Sequence, residues 1–168
     1  LRNRVVFKYE LTTVTGSAPN QVITKSTVHG DDAGLDEDSV LKEQLTFRYN
    51  KALSAYEINE RQASYFAGAE AGFEQIAYQK NFKKGGNTLR SYVDFQYQGP
   101  IGQESLLLKQ TAYRDESKTL TKRISETLFA GTEPGSERIK EQINFNLNGQ
   151  LRNRVVFKYE LTTVTGSA

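Results

Sequence analysis

Apolar and polar residues alternate along most of this chain with the two-residue period of a β-strand. In residues 1–18, Val5, Phe7, Tyr9 and Leu11 occupy one parity while Arg4, Lys8, Glu10 and Thr12 occupy the other. That pattern predicts a strand with an apolar inward side and a polar outward side. Leu45, Phe47 and Tyr49 repeat it, as do Leu89, Val93, Phe95 and Tyr97, and again Ile139, Ile143, Phe145 and Leu147. Runs at 106–113 and 120–129 continue the reading. Leu120, Ile124 and Leu128 also fit one helical face, but Thr119, Thr121, Ser125 and Thr127 favour a strand. Turn signals at Gly99-Pro100, Asp115-Glu116-Ser117 and 131–135 separate the runs.

One stretch breaks the period. From Arg61 to Tyr78 alanine accumulates, and Phe66, Phe73, Ile76 and Ala77 fall near one helical face. A covering helix near 61–78 is expected there, with a pair of short strands as the alternative because Gly68 and Gly72 each weaken a helix by about 1 kcal/mol. The expected fold is mainly β, an antiparallel barrel or sandwich of about seven to ten strands, possibly with that one helix.

The strongest signal is an internal repeat. Residues 1–18, LRNRVVFKYELTTVTGSA, recur unchanged as residues 151–168. The chain therefore reads as one β domain with an identical strand segment at both ends of a 150-residue unit. Such a chain is either a window on a tandem array or a single domain with one segment repeated by construction. The flanks of the copies differ. The first precedes a turn at 16–20 and a strand at 22–28; the second follows a strand at 139–147 and an Asn148-Gly149 turn suited to a tight hairpin. Each copy should pair with its own covalent neighbour, leaving one copy spare in a sheet with one place for it. A spare amphipathic strand offers unpaired backbone groups for strand exchange or self-association. The expected exchange interface is Val5, Phe7, Tyr9 and Leu11 with Val155, Phe157, Tyr159 and Leu161. A six-residue echo, KEQLTF at 42–47 and KEQINF at 140–145, hints at similarly placed strands.

Composition and charge narrow the chemistry. With no cysteine and His29 as the sole histidine, thiolate nucleophiles, disulfides and multi-histidine metal centres are excluded within one chain. The net charge of +2 equals the charge of one end copy, so a 150-residue unit is neutral, which argues against nucleic-acid binding. Lys80, Lys83 and Lys84 read as a solvated loop. No apolar run approaches the roughly 20 residues of a membrane span. The chain's freedom from Cys, Met and Trp would tolerate an oxidising exterior and points to an extracellular or cell-surface location.

Site candidates are few. Asp31, Asp32, Asp36 and Asp38 form the densest carboxylate run, a weak candidate for calcium, and no other cofactor is expected. Glu57, Glu60, Glu70 and Glu74 could supply a carboxylate pair for a hydrolase. Phe47, Tyr49, Phe95, Tyr97, Phe145, Phe157 and Tyr159 share the inward parity of their strands, so a barrel could enclose an aromatic-lined cavity for a small apolar ligand. The leading expectation is a non-enzymatic structural or adhesive β domain that self-associates by strand exchange or belongs to a tandem array. A ligand-binding barrel and a carboxylate-pair hydrolase on a β-sandwich follow.

Overall fold

A computed structural model describes residues 3–16, 19, 21–86 and 88–160. Alternation wins almost everywhere. The strands are β1 (Asn3–Thr15), β2 (Val22–His29), β3 (Leu41–Asn50), β4 (Ala55–Tyr56), β5 (Gln62–Ala67), β6 (Gln75–Phe82), β7 (Leu89–Tyr97), β8 (Leu107–Tyr113), β9 (Arg123–Ala130), β10 (Arg138–Phe145) and β11 (Leu151–Val156). They form one antiparallel sheet in the order β11-β10-β9-β8-β7-β6-β5-β3-β1-β2, with β4 paired to β3.

The sheet is open. It closes into no barrel and stacks on no second sheet, which corrects both architectures expected from the sequence. The expected helix near 61–78 is instead β5 and β6 with their connecting turn, so the short-strand alternative holds. Among the described residues the only helical segment is a single turn at Leu120–Lys122, just ahead of β9.

A single layer leaves both faces wet. The molecule exposes 11832 Å², whereas a folded globular protein of 18.9 kDa exposes about 8,300 Å². Stabilisation must therefore run sideways between neighbouring strands. Directly opposed residues share a face, so the ladders assign every strand residue to one of two surfaces.

One surface is aromatic and ionic. Leu45, Phe47 and Ala63 are buried there, with Val6, Tyr56, Tyr65 and Phe82 packed against them. Tyr65 stacks on Tyr78 and Tyr78 on Tyr92, at centroid distances of 4.5 and 5.4 Å. The Lys118 ammonium lies 5.0 Å above the Tyr92 ring and 2.6 Å from Asp94 Oδ1. Lys8–Glu43 and Lys80–Glu116 pairs extend the same mutual shielding. The opposite surface is a ladder of side-chain amides and hydroxyls. Gln62 Nε2 and Gln79 Nε2 both donate to Asn81 Oδ1 at 3.0 Å, and Asn81 Nδ2 donates to Ser91 Oγ at 3.1 Å.

The inward parity expected for the first copy is reversed where it matters. Val5 and Phe7 are each 43 % exposed, while Val6 from the supposedly outward set joins the core. The reason is that Arg4 and Lys8 need not avoid an apolar face. The Arg4 guanidinium lies 4.8 Å above the Phe47 ring, and Lys8 reaches Glu43 at 3.0 Å. Long basic side chains thus cover the aromatic surface with their stems.

Two hairpin turns are built alike. Glu74 Oε1 accepts from Leu41 N at 2.7 Å, and Glu137 Oε1 accepts from Leu107 N at 2.8 Å. Each carboxylate reaches from one hairpin to the start of a strand in another. A Cβ on Gly68 would lie 3.1 Å from Glu74 Cα and one on Gly131 3.0 Å from Glu137 Cα, so a side chain at either would press on the clasping glutamate by a few tenths of an ångström. The KEQ echo also has a structural counterpart. Lys42 and Lys140 are the extra residues of bulges in β3 and β10, and Glu43 and Glu141 point to the same surface.

Candidate functional site

The two identical segments occupy opposite ends of the sheet. β1 lies next to last, between β3 and β2, whereas β11 is the far edge. Both covalent pairings expected from the flanks are present. Thr15 to Lys8 pair with Val22 to His29, and Asn153 to Val156 pair with Asn144 to Glu141 across a turn holding Gly149 at φ 76°. Leu161 and the rest of 161–168 lie outside the described residues, as do Ser17, Ala18 and Asn20 of the expected first turn.

The copies use opposite backbone margins. Successive residues of a strand send their N–H and C=O groups to alternate sides. In β1 the odd residues face β2, since Phe7 O accepts from Gly30 N at 3.1 Å; the even residues face β3, since Glu10 N donates to Val40 O at 2.8 Å. In β11 the odd residues face β10, since Phe157 N donates to Lys140 O at 3.1 Å. Among the described residues the even margin of β11 has no neighbour, and the odd margin of β1 is open over Asn3–Val5, stopping short of the Phe7 oxygen and its bond from Gly30 N. What one copy leaves unpaired, the other pairs.

Three further relations agree. All the intervening ladders are antiparallel, and β1 and β11 lie eight strands apart, so they run in the same direction. Even residues of both copies project onto the aromatic surface: Val6 opposite Leu45, Arg154 opposite Ile143. Even at a single residue the bonds are compatible, because Phe7 uses its oxygen and Phe157 its nitrogen.

Side chains show the same division. Arg4 covers the Phe47 and Tyr56 rings of the β3–β4 hairpin. Its twin Arg154 instead forms a two-pronged bond to Glu141 on β10, with Nη2 to Oε2 at 2.7 Å. That bond holds the Glu141 carboxyl below the usual carboxylate range. Lys8 pairs with Glu43, and Glu10 with Lys25 at 2.6 Å and Lys42 at 3.5 Å. Lys158 and Glu160, their twins, are exposed and form no ion pair among the described residues. The partners they lack stand on β2 and β3.

Of the expected interface residues, Tyr9 rests against Gly30 and Leu11 against Gly34. Phe157 and Tyr159 remain 37 % and 50 % exposed, with Tyr159 Oη donating to Ile139 O at 2.8 Å. Glu141, Arg4 and Arg154 escaped notice because an isolated charge in an alternating strand looks like a solvated residue. The signal available was the echo that places a glutamate after a lysine in both β3 and β10.

The other candidates do not assemble. Asp36 Oδ1 accepts from Ser39 Oγ at 2.9 Å within its own turn, and no three acidic or histidine side chains converge as a metal set among the described residues. His29 is exposed at the end of β2. Glu57 and Glu74 contact opposite ends of β3, at Arg48 O and Leu41 N, and Glu74 is consumed as a turn clasp. The aromatics share no interior. Phe47 and Phe145 belong to one surface and Phe95 to the other, where it faces Gln110. In comparisons with protein-family models, curated proteins and solved structures, no match is found.

Proposed function

We propose that this chain is a non-enzymatic structural β domain, one period of a tandem array in which consecutive 150-residue units merge into a continuous single-layer sheet. At each junction one strand serves two units. It takes β10 of the preceding unit on its odd margin, then β2 of the following unit further along that margin, and β3 of the following unit on its even margin. The observation that carries this reading is the opposite and complementary use of margins by two identical segments that share direction and face.

The same junction can form between separate chains, by exchange of 151–160 for 1–10. Every ladder gained in that exchange is matched by one lost, and association costs about 4–15 kcal/mol of translational and rotational freedom. Continuity within one chain is therefore favoured over strand exchange between chains. Complementary edges held by a covalent linker suit a load-bearing or spacing role outside the cell.

The test is a two-period chain in which residues 19–168 follow residue 168. The Arg154 and Val156 amides, open in the single period, should become protected from hydrogen exchange. The long dimension in small-angle scattering should grow by eight strand spacings, about 38 Å. Two sheets that scatter as independent bodies, with those amides still exchanging freely, would refute the array.

A further inference from the structure

The amide surface is uncharged over most of its extent, but at one end of the strands it turns basic. Arg48, Arg61, Lys83, Lys84 and Arg90 line a 340 Å³ trough in which Glu57 is the single carboxylate. None of the five bases forms an ion pair among the described residues. Elsewhere eight lysines and arginines pair with carboxylates and the other unpaired bases are scattered, so five unpaired bases around one depression form a local positive cluster.

The depression is held in shape. Asn59 Nδ2 donates to Gly85 O at 2.7 Å, fastening the turn that carries Lys83 and Lys84 over the segment before β5. A Cβ at Gly86, whose φ is +80°, would collide with Asn59, so the approach requires glycine. The backbone adds two anchors, Glu57 N to Arg48 O at 2.8 Å and Phe82 N to Arg61 O at 2.9 Å.

Arg61, Phe82 and Arg90 also line a second trough of 550 Å³ that continues across the amide surface. Its other lining residues include Asn3, Thr46, Gln62, Asn81 and Ser91, and it reaches Ile124 on β9. Its lining thus comes from seven adjacent strands, β1 to β9 in sheet order. Amides and hydroxyls along the floor match the hydroxyls of a sugar chain. Guanidinium groups at the head match carboxylate or sulfate groups. Phe82 is the one aromatic among the lining residues, so the trough lacks the stacking platforms that single-stranded nucleic acids use.

We propose that these joined troughs bind an acidic polysaccharide, its anionic groups held by Arg48, Arg61 and Arg90 with Lys83 and Lys84, and its sugar hydroxyls on the amide ladder. The site lies within one unit and stands independently of the array.

Calorimetric titration of the full chain with dextran sulfate and with polygalacturonate tests it, alongside neutral dextran, inorganic sulfate and oligo-dT. An acidic polymer should bind, weaken as salt is raised, and lose at least tenfold in affinity in Arg61→Gln/Arg90→Gln. Lys83→Gln/Lys84→Gln, confined to a surface turn and therefore safe for folding, should lose affinity in the same direction. A charge-matched control, Lys51→Gln/Lys158→Gln, should bind within twofold of the parent. Equal losses in the control, binding of neutral dextran or inorganic sulfate as tight as that of the acidic polymers, or no binding of either acidic polymer overturns the proposal. Equal or tighter binding of oligo-dT overturns it in favour of a nucleic acid.

Discussion

The identical segments permit an unusually clean exchange experiment, because Val6 and Val156 have the same neighbours in sequence and hence the same intrinsic exchange rate. In β1 the Val6 amide faces β3, and β2 holds the far side of the strand from Lys8 onward. Freeing it requires opening an internal strand and the packing of Val6 on Leu45, Phe47 and Ala63. With domain stabilities of about 5–15 kcal/mol and 1.4 kcal/mol per tenfold, even the lower bound gives protection of roughly 10³ to 10⁴. The Val156 amide faces the open margin of an edge strand and should exchange within about tenfold of an unstructured peptide. The order reverses one residue earlier, with Val155 slowed by β10 and Val5 open. Residue-resolved exchange by nuclear magnetic resonance reads all four. Protection of the same parity in both copies would show that the margins are not complementary, and the shared-strand junction would fall with them.

Other outcomes follow from the same contacts. Leu45→Ala, at a buried position, should cost about 2–5 kcal/mol in urea unfolding, against less than about 0.5 kcal/mol for Leu53→Ala on the exposed β3–β4 turn. Glu141→Gln should release Arg154 and raise exchange at Val155 and Phe157 while leaving the amides of β1 unchanged; a change confined to β1 would contradict the assignment. Stability should be flat between about pH 5 and pH 10. The Lys25 ammonium bonded to Glu10 and the Arg154 guanidinium bonded to Glu141 hold those carboxyls low, so their stabilisation is present above the ordinary carboxylate range and is lost as pH falls through it. The Glu116 bond to Lys80 and the Asp94 bond to Lys118 raise those ammonium groups, and burial pushes the Tyr97 phenol up to about 12, so stability falls again as pH rises above 10. A melting temperature that is constant from pH 2 to 5, or that rises above pH 10, would contradict those pairings.

Strand positions were legible because alternation is local, and both terminal hairpins were legible from the turns that flank the copies. Closure was not. A barrel, a sandwich and an open layer share the same period, and they differ in what covers the apolar parity. Here the cover is lateral: Arg4 over Phe47, Lys118 over Tyr92 and Arg123 over Phe145 convert basic residues into the lid of an aromatic surface. Hydropathy counts those bases as solvent-facing, so alternation alone places Val5 and Phe7 inward, on the parity opposite Arg4 and Lys8. The segment 61–78 misled for a related reason. Its alanines and glycines sit where strands crowd a clasped turn, and Ala63 is among the most buried residues of the sheet. The basic trough was invisible in sequence because Arg48, Arg61 and Arg90 are far apart along the chain and meet only when β3, β5 and β7 align.

A single-layer sheet has a particular reason to repeat. Each internal strand is stabilised by two neighbours, whereas an edge strand has one neighbour and a row of unpaired amides and carbonyls. In the proposed array each added period would bring eight strands with neighbours on both sides, so the two unfavourable ends of the sheet are diluted as the array lengthens, in the manner of solenoid repeats. Within this chain the contrast is already visible in two copies of one sequence. All of the β11 residues are exposed, while Val6, Lys8, Tyr9, Glu10 and Leu11 of β1 are half-buried. Neutrality of the unit fits this design, because a net charge on every period would accumulate along the array as self-repulsion. In the proposed array identity of the copies follows directly, because one strand would stand against β10 behind it and β2 and β3 ahead. In the proposed array a side chain of either parity would lie between both units, since Val6 stands opposite Leu45 on β3 and its twin Val156 opposite Glu141 on β10.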